Sequence, residues 1–135
     1  MSKVRAILIV DDEFIILESL RIQLERILDE TILIEAASSG EEAFALIDEF
    51  HESDVDLVMA ISDFNLDDTK GTVVLAYVHE KFPDTKKGLL SGQSEIQQVE
   101  ECEQKIGLHA RFPKPWEFEE IKQSIQQVFY PTKKE

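Results

Sequence analysis

Hydrophobic residues along this chain follow two different periods in turn. Near-continuous apolar runs occupy residues 4–10, 32–35, 57–61, 88–90 and, more weakly, 108–112. Each is too short for a helix and has the unbroken character of a strand covered on both faces. Between them the spacing becomes helical: Phe14, Leu17, Leu20, Leu24, Ile27 and Leu28 mark a first helix, Ala43, Leu46, Ile47 and Phe50 a second, and Val74, Tyr77 and Val78 a third. Ile96, Val99 and Ile106 mark a fourth, and Phe118, Ile121, Ile125, Val128 and Phe129 a fifth. Ser39 with Glu42, and Ser94 with Gln97, have the spacing of capping boxes at two of the starts. Strict alternation of strand and helix implies parallel strands joined by right-handed crossovers, hence an α/β domain of three layers.

The chain's 135 residues suffice for one core, and 43% hydrophobic against 31% charged residues fits a globular domain. We expect that domain over residues 1–130, with residues 131–135 as a frayed tail, and residues 50–56 as a long polar connection remote from any chemistry. The longest apolar stretch, residues 6–10, is far below a membrane span, and no signal-peptide pattern precedes it. The single cysteine, Cys102, fits a reducing compartment. A cytoplasmic protein is the expectation. Net charge is −14, and all of the excess lies in residues 1–69, which hold 18 acids and 4 bases; residues 70–135 hold 10 of each. Such a surface repels phosphate backbones, so neither direct nucleic-acid binding nor membrane attachment is expected.

In an open parallel sheet, functional groups gather at the carboxyl ends of the strands. Here the first strand ends in Asp11-Asp12-Glu13, the third in Asp63-Phe64-Asn65, the fourth in Ser91-Gly92 and the fifth in Lys114-Pro115. Any one of these is ordinary as a cap or turn. Together they place carboxylates, a hydroxyl and an ammonium on one edge. Adjacent carboxylates repel, and a hard cation between them relieves the repulsion; two or three carboxylate oxygens, a backbone carbonyl and waters suit octahedral Mg²⁺. Lys114 and Ser91 then suit a substrate of phosphoryl oxygens. No glycine-rich phosphate loop follows a strand, and no His or Cys stands beside a serine as a base, so neither P-loop nor acyl-transfer chemistry has residues to carry it. His51, His79 and His109 are scattered, and Trp116 and Met59 have the character of packing residues.

The motifs Ile7-Leu8-Ile9-Val10-Asp11-Asp12-Glu13, Ile61-Ser62-Asp63-Phe64-Asn65-Leu66, Leu89-Leu90-Ser91-Gly92 and Lys114-Pro115-Trp116, in this order, resemble the receiver domain of response regulators in two-component signalling. The resemblance covers nearly the whole chain. It implies a flavodoxin-like sheet of order 2-1-3-4-5, Asp63 as phosphoacceptor, and Mg²⁺ held by Asp11, Asp12, Asp63 and the Asn65 carbonyl. It further implies that Ser91 and Lys114 contact the phosphoryl group and that the Lys114-Pro115 bond is cis. A histidine kinase or phosphotransfer protein is the implied donor. A downstream protein or output domain is the implied recipient, with the face of the fourth helix, fifth strand and fifth helix for contact or homodimerisation. The protein would catalyse only its own phosphorylation and dephosphorylation and would not be an enzyme in the wider sense. Two other readings are a pseudo-receiver that binds without phosphorylation and an aspartyl-phosphate phosphatase of haloacid-dehalogenase type. The phosphatase lacks its Asp-x-Asp motif after the first strand here.

Three features depart from the family pattern, one of them the connection from the second helix to the third strand, which is longer than usual and remote from the site. Four residues after Asp63, where relatives usually have proline, stands Asp67, followed by Asp68, which implies a looser and more acidic loop. Three residues before Lys114, where relatives have an aromatic ring that turns inward on switching, stands Arg111, with Phe112 beside it. Burying an unpaired guanidinium costs several kcal/mol, so Arg111 is expected to point outward on the partner face. The alternative is that Phe112 takes the aromatic's place.

Overall fold

In the computed structural model, which describes residues 3–131, strands and helices alternate throughout: β1 (Arg5–Val10), α1 (Phe14–Ile27), β2 (Ile32–Ala37), α2 (Gly40–Glu52), β3 (Asp56–Asp63), α3 (Gly71–Lys81), β4 (Lys86–Ser91), α4 (Ile96–Ile106), β5 (Ala110–Pro113) and α5 (Phe118–Phe129). A short 3-10 turn, Gln93–Glu95, leads into α4. Residues 132–135 of the expected tail lie outside the described residues. The five strands are parallel in the order β2-β1-β3-β4-β5, the expected flavodoxin-like arrangement.

The unbroken apolar run of β1 is explained by its place: it is the second strand of five and both its faces are covered. Ala6, Leu8 and Val10 face the layer of α2, α3 and α4, while Ile7 and Ile9 face that of α1 and α5, and all five are buried. Fully burying an aliphatic side chain of this size contributes about 1.5–3 kcal/mol, so this strand is a principal source of stability. In β3 the alternation slips. The β1–β3 register shifts between Ala6 and Ile7, and Val58 and Met59, though consecutive, both pack toward α1 and α5. Among the described residues no helix is long and apolar enough to cross a membrane.

The element boundaries depart from the sequence reading in four places. Strand β4 begins at Lys86, two residues before the apolar run, and β5 begins at Ala110, leaving Leu108 to pack against the α2–α4 core. Helix α2 continues through Glu52, so the presumed long connection shrinks to a turn in which Asp54 adopts φ 61°, a left-handed conformation that Asp tolerates. At α2 the Ser39 hydroxyl accepts from the Glu42 N–H at 3.0 Å as expected, but the Glu42 carboxylate reaches one residue further back, to the Ser38 N–H at 2.7 Å. The Ser94–Gln97 box does not form. The Gly92 N–H instead donates to Glu95 Oε1 at 2.7 Å and starts the turn two residues earlier.

Candidate functional site

Parallel pairing of β1 with β3 sets Val10 opposite Ser62, and so delivers Asp11 and Asp63 side by side at the carboxyl edge. Asp11, Asp12 and Asp63 each offer a carboxylate oxygen, and these oxygens lie within 4.8 Å of one another. Asp11 is wholly buried, Asp63 nearly so and Asp12 half-buried. Two backbone N–H groups fix this tip: that of Asp11 donates to the Ala37 carbonyl at 3.1 Å, and that of Glu13 donates to the Asp11 side chain at Oδ1, 2.9 Å. The Lys114 ammonium is shared among Asp11 Oδ2 at 3.0 Å, Asp63 Oδ1 at 3.1 Å and Glu13 Oε1 at 3.3 Å. The Lys114-Pro115 bond that follows is cis.

One ammonium does not balance this much negative charge. Burial, and after it the Asp11 carboxylate, raise the Asp63 carboxyl to about 6 in spite of the opposing Lys114. Desolvation pulls the Lys114 ammonium down, but the Asp11 and Asp63 carboxylates outweigh it and hold it above the ordinary lysine range. A fifth acid adds to the surplus, since the Asp12 carboxylate beside Asp67 raises the Asp67 carboxyl. A hard divalent cation suits this set of donors.

The loop after Asp63, expected to be loose because Asp67 stands in it, is instead pinned. Asp68 accepts from the Gly40 and Glu41 N–H groups, both at 2.9 Å, and so caps the amino terminus of α2 from a distance in sequence. Those two bonds hold the Asp68 carboxyl below its ordinary range. Thr69 lies so close to Gly40 that a Cβ there would collide with its methyl group. At the other end of the loop Gly71 opens α3 hard against Asp63: its N–H donates to the Phe64 carbonyl at 2.7 Å, and a Cβ would strike the Asp63 carbonyl. This bond and that from the Leu66 N–H to the Thr69 carbonyl, 3.0 Å, flank Asn65 and leave its own carbonyl outside the pairing, available as a ligand. The Asn65 side chain is engaged elsewhere: Oδ1 accepts from Lys70 Nζ at 2.6 Å and Nδ2 donates to Glu95 Oε2 at 3.1 Å.

Ser91 ends β4 one residue beyond Leu90, the register partner of Asp63. Together with Gly92, Ile96, Val99, Arg111, Phe112 and Pro113 it lines a cleft of about 250 Å³. Arg111 and Phe112 lie on opposite faces of β5. Phe112 is buried in the core beneath α1 and α5, across from Leu90, and does not take the place of an aromatic facing α4. Arg111 points outward, 45% exposed, with its guanidinium 3.4 Å from Glu103 of α4.

The structure therefore gathers Asp11, Asp12, Asp63 and Lys114 as the sequence implies, and keeps Ser91 and Asn65 at adjoining strand ends. It adds Glu13 and Asp67, whose only sequence signal was membership of acidic runs, and the Glu95–Asn65–Lys70 bridge, for which no signal existed. The remaining histidines stay apart, with His51 edge-on to Phe82 at 5.6 Å between ring centres. Trp116 packs toward α1 with Nε1 donating to Gln23 at 2.8 Å.

A family profile described as "Response regulator receiver domain" matches residues 7–126. Among solved structures, the chain is similar to a response regulator receiver domain protein (CheY-like) from Methanospirillum hungatei JF-1, at 27% identity, TM-score 0.77 and 93% coverage of both chains. It is also similar to a response regulator receiver domain protein from Clostridium thermocellum, at 21% identity and TM-score 0.79, covering 92% of this chain and 93% of that one. A third likeness is the signal receiver domain of an HD domain-containing protein from Pseudomonas fluorescens Pf-5, at 23% identity and TM-score 0.76, covering 93% and 94%. No curated protein matches.

Proposed function

This chain belongs to the response-regulator receiver family, and on that premise we propose that it is a phosphorylation-switched signalling module whose acceptor is Asp63. The observation that carries the reading is the triad of Asp11, Asp12 and Asp63 within 4.8 Å, with Lys114 Nζ 3.1 Å from the acceptor oxygen. Asp11, Asp12, Asp63 and the Asn65 carbonyl would hold Mg²⁺, which would supply positive charge for the phosphoryl oxygens and relieve the carboxylate repulsion. An Asp63 oxygen attacks phosphorus in line; its O–P bond forms as the N–P bond of a donor phosphohistidine breaks, and the electron pair leaves on the imidazole nitrogen. Lys114 stays within reach of a phosphoryl oxygen and neutralises charge there, so the protein's contribution is positioning and electrostatics. Later attack of water on the acyl phosphate returns Asp63 to a carboxylate.

The donor is a histidine kinase or phosphotransfer protein, and the recipient a protein or output domain that contacts the face of α4, β5 and α5. On this reading the chain catalyses only its own phosphorylation and dephosphorylation. Incubation with acetyl phosphate and Mg²⁺ should add the mass of one phosphoryl group to the intact protein. Asp63→Asn should abolish the adduct and chelation of Mg²⁺ should prevent it. Absence of any adduct on the wild-type chain would make it a pseudo-receiver, and labelling that survives Asp63→Asn would move the acceptor to Asp67 or Asp68.

A further inference from the structure

At the opposite edge of the sheet, β4 begins with two lysines that meet different fates. Lys86 is exposed, whereas Lys87 points inward on the same face as Leu89 and is only 4% exposed. Its ammonium donates to the Thr85 carbonyl at 2.8 Å, and among the described residues this is its one hydrogen bond, with no carboxylate in an ion pair with it. An ammonium carries three donors, and a buried charge is ordinarily both paired and hydrogen-bonded. Burial, and after it the neighbouring Lys86, lower Lys87 below the ordinary lysine range.

Lys87 also lines a polar cleft of about 590 Å³, together with Asp84, Lys86, Gly107 and His109 among others. The volume lies within the range of small-molecule sites. Charge in the cleft is unbalanced. Asp84 contributes one negative charge and the carboxyl end of α4, which stops here, about half a charge more, against two lysines. A positive recess in a protein of net charge −14 is out of keeping with its surroundings. We infer that this cleft binds a small molecule through a phosphate or carboxylate group, with the oxyanion on Lys87 and Lys86. The inference is independent of Asp63, which lies at the other end of the strands.

The test uses the full chain without divalent cations, so that the carboxylate edge does not recruit anions. Backbone amide resonances are followed while inorganic phosphate, and in a second arm acetate, replaces chloride at constant ionic strength. Saturable shifts of the Lys86–Gly88 and Gly107–Ala110 amides are expected, and the arm that saturates at lower concentration assigns the site to phosphate or carboxylate ligands. Lys87→Met should weaken the binding about tenfold or more, as loss of a charge-assisted hydrogen bond does. It should also unfold at no lower temperature than the wild type in chloride buffer free of phosphate and acetate, because it removes an uncompensated buried charge. Should Lys87→Met fail to fold, Lys86→Ala, which leaves the core intact, is expected to weaken binding several-fold. Shifts in both arms that are linear and equal to those given by chloride, or saturable shifts confined to the edge of Asp11, Asp12 and Asp63, would overturn the inference.

Discussion

Asp63 is poised between two charge states, and its environment has a measurable consequence for stability. Its carboxyl titrates at about 6 in the folded protein and near 3.9 when unfolded, so the native state holds the proton more tightly. Through that window the metal-free protein loses stability as pH rises, by on the order of 2 kcal/mol, and the cost is complete above about pH 6. Asp63→Asn should be more stable than wild type above pH 6 and have a flatter profile between pH 4 and 6, as measured by denaturant unfolding in chelator; superimposable profiles would contradict this. Lys114 acts in the opposite sense. Its ammonium, raised by Asp11 and Asp63, contributes stability throughout the pH range below the ordinary lysine pKa. Lys114→Ala should destabilise by about 2 kcal/mol, less than a fully buried pair because the side chain is 20% exposed. The outward Arg111 was legible in the sequence, since strand alternation forces residues 111 and 112 to opposite faces. Its partner Glu103 was not, because the rotation of α4 about its axis decides which acid comes near. An exposed pair of this kind contributes well under 1 kcal/mol, so Arg111→Ala should leave stability and Asp63 labelling unchanged while weakening partner association, read by titration calorimetry.

Between residue and fold stands the loop that joins β3 to α3. Proline stiffens a loop through its ring; here Asp68 does it through two hydrogen bonds to the start of α2. Asp68→Ala should leave the sheet intact and accelerate amide exchange at Gly40 and Glu41, whereas unchanged protection at both would mean that water or another group caps α2 equally well. Gly40→Ala should lower the melting temperature by several degrees, because the added methyl must displace Thr69. The sequence showed that the loop was acidic but not that it was held, because the reach of a polar side chain across the fold has no local signature. The same contrast runs through the boundaries. Ser39 caps its own neighbours and was readable. The start at Gly92 depended on where β4 stopped, and the buried Lys87 disguised where that strand began. The slip in β3 at Val58 was likewise invisible, since one apolar residue more in an apolar run changes no pattern.

For the whole molecule, alternating periods sufficed to give the class, and four strand ends sufficed to give the family, because both depend on short-range regularities that recur many times. Charge is distributed less evenly than structure. The acids beyond balance belong to residues 1–69, while α4, β5 and α5 fall in the neutral half and present Gln97, Gln104, Gln123, Gln126 and Gln127 to solvent. Association through that face, whether with a partner or a second copy, should depend weakly on ionic strength. A steep loss of binding between low and physiological salt would instead implicate the acidic half.

The bridge from Lys70 through Asn65 to Glu95 has a consequence on a longer timescale. Glu95 accepts both from Asn65 of the loop after β3 and from the Gly92 N–H that starts the turn into α4. Asn65 answers at once to Glu95 and Lys70. Drift at any one of the three positions leaves a partner stranded, so lineages descended from this sequence should replace residues 65, 70 and 95 as a set, inherited or lost together.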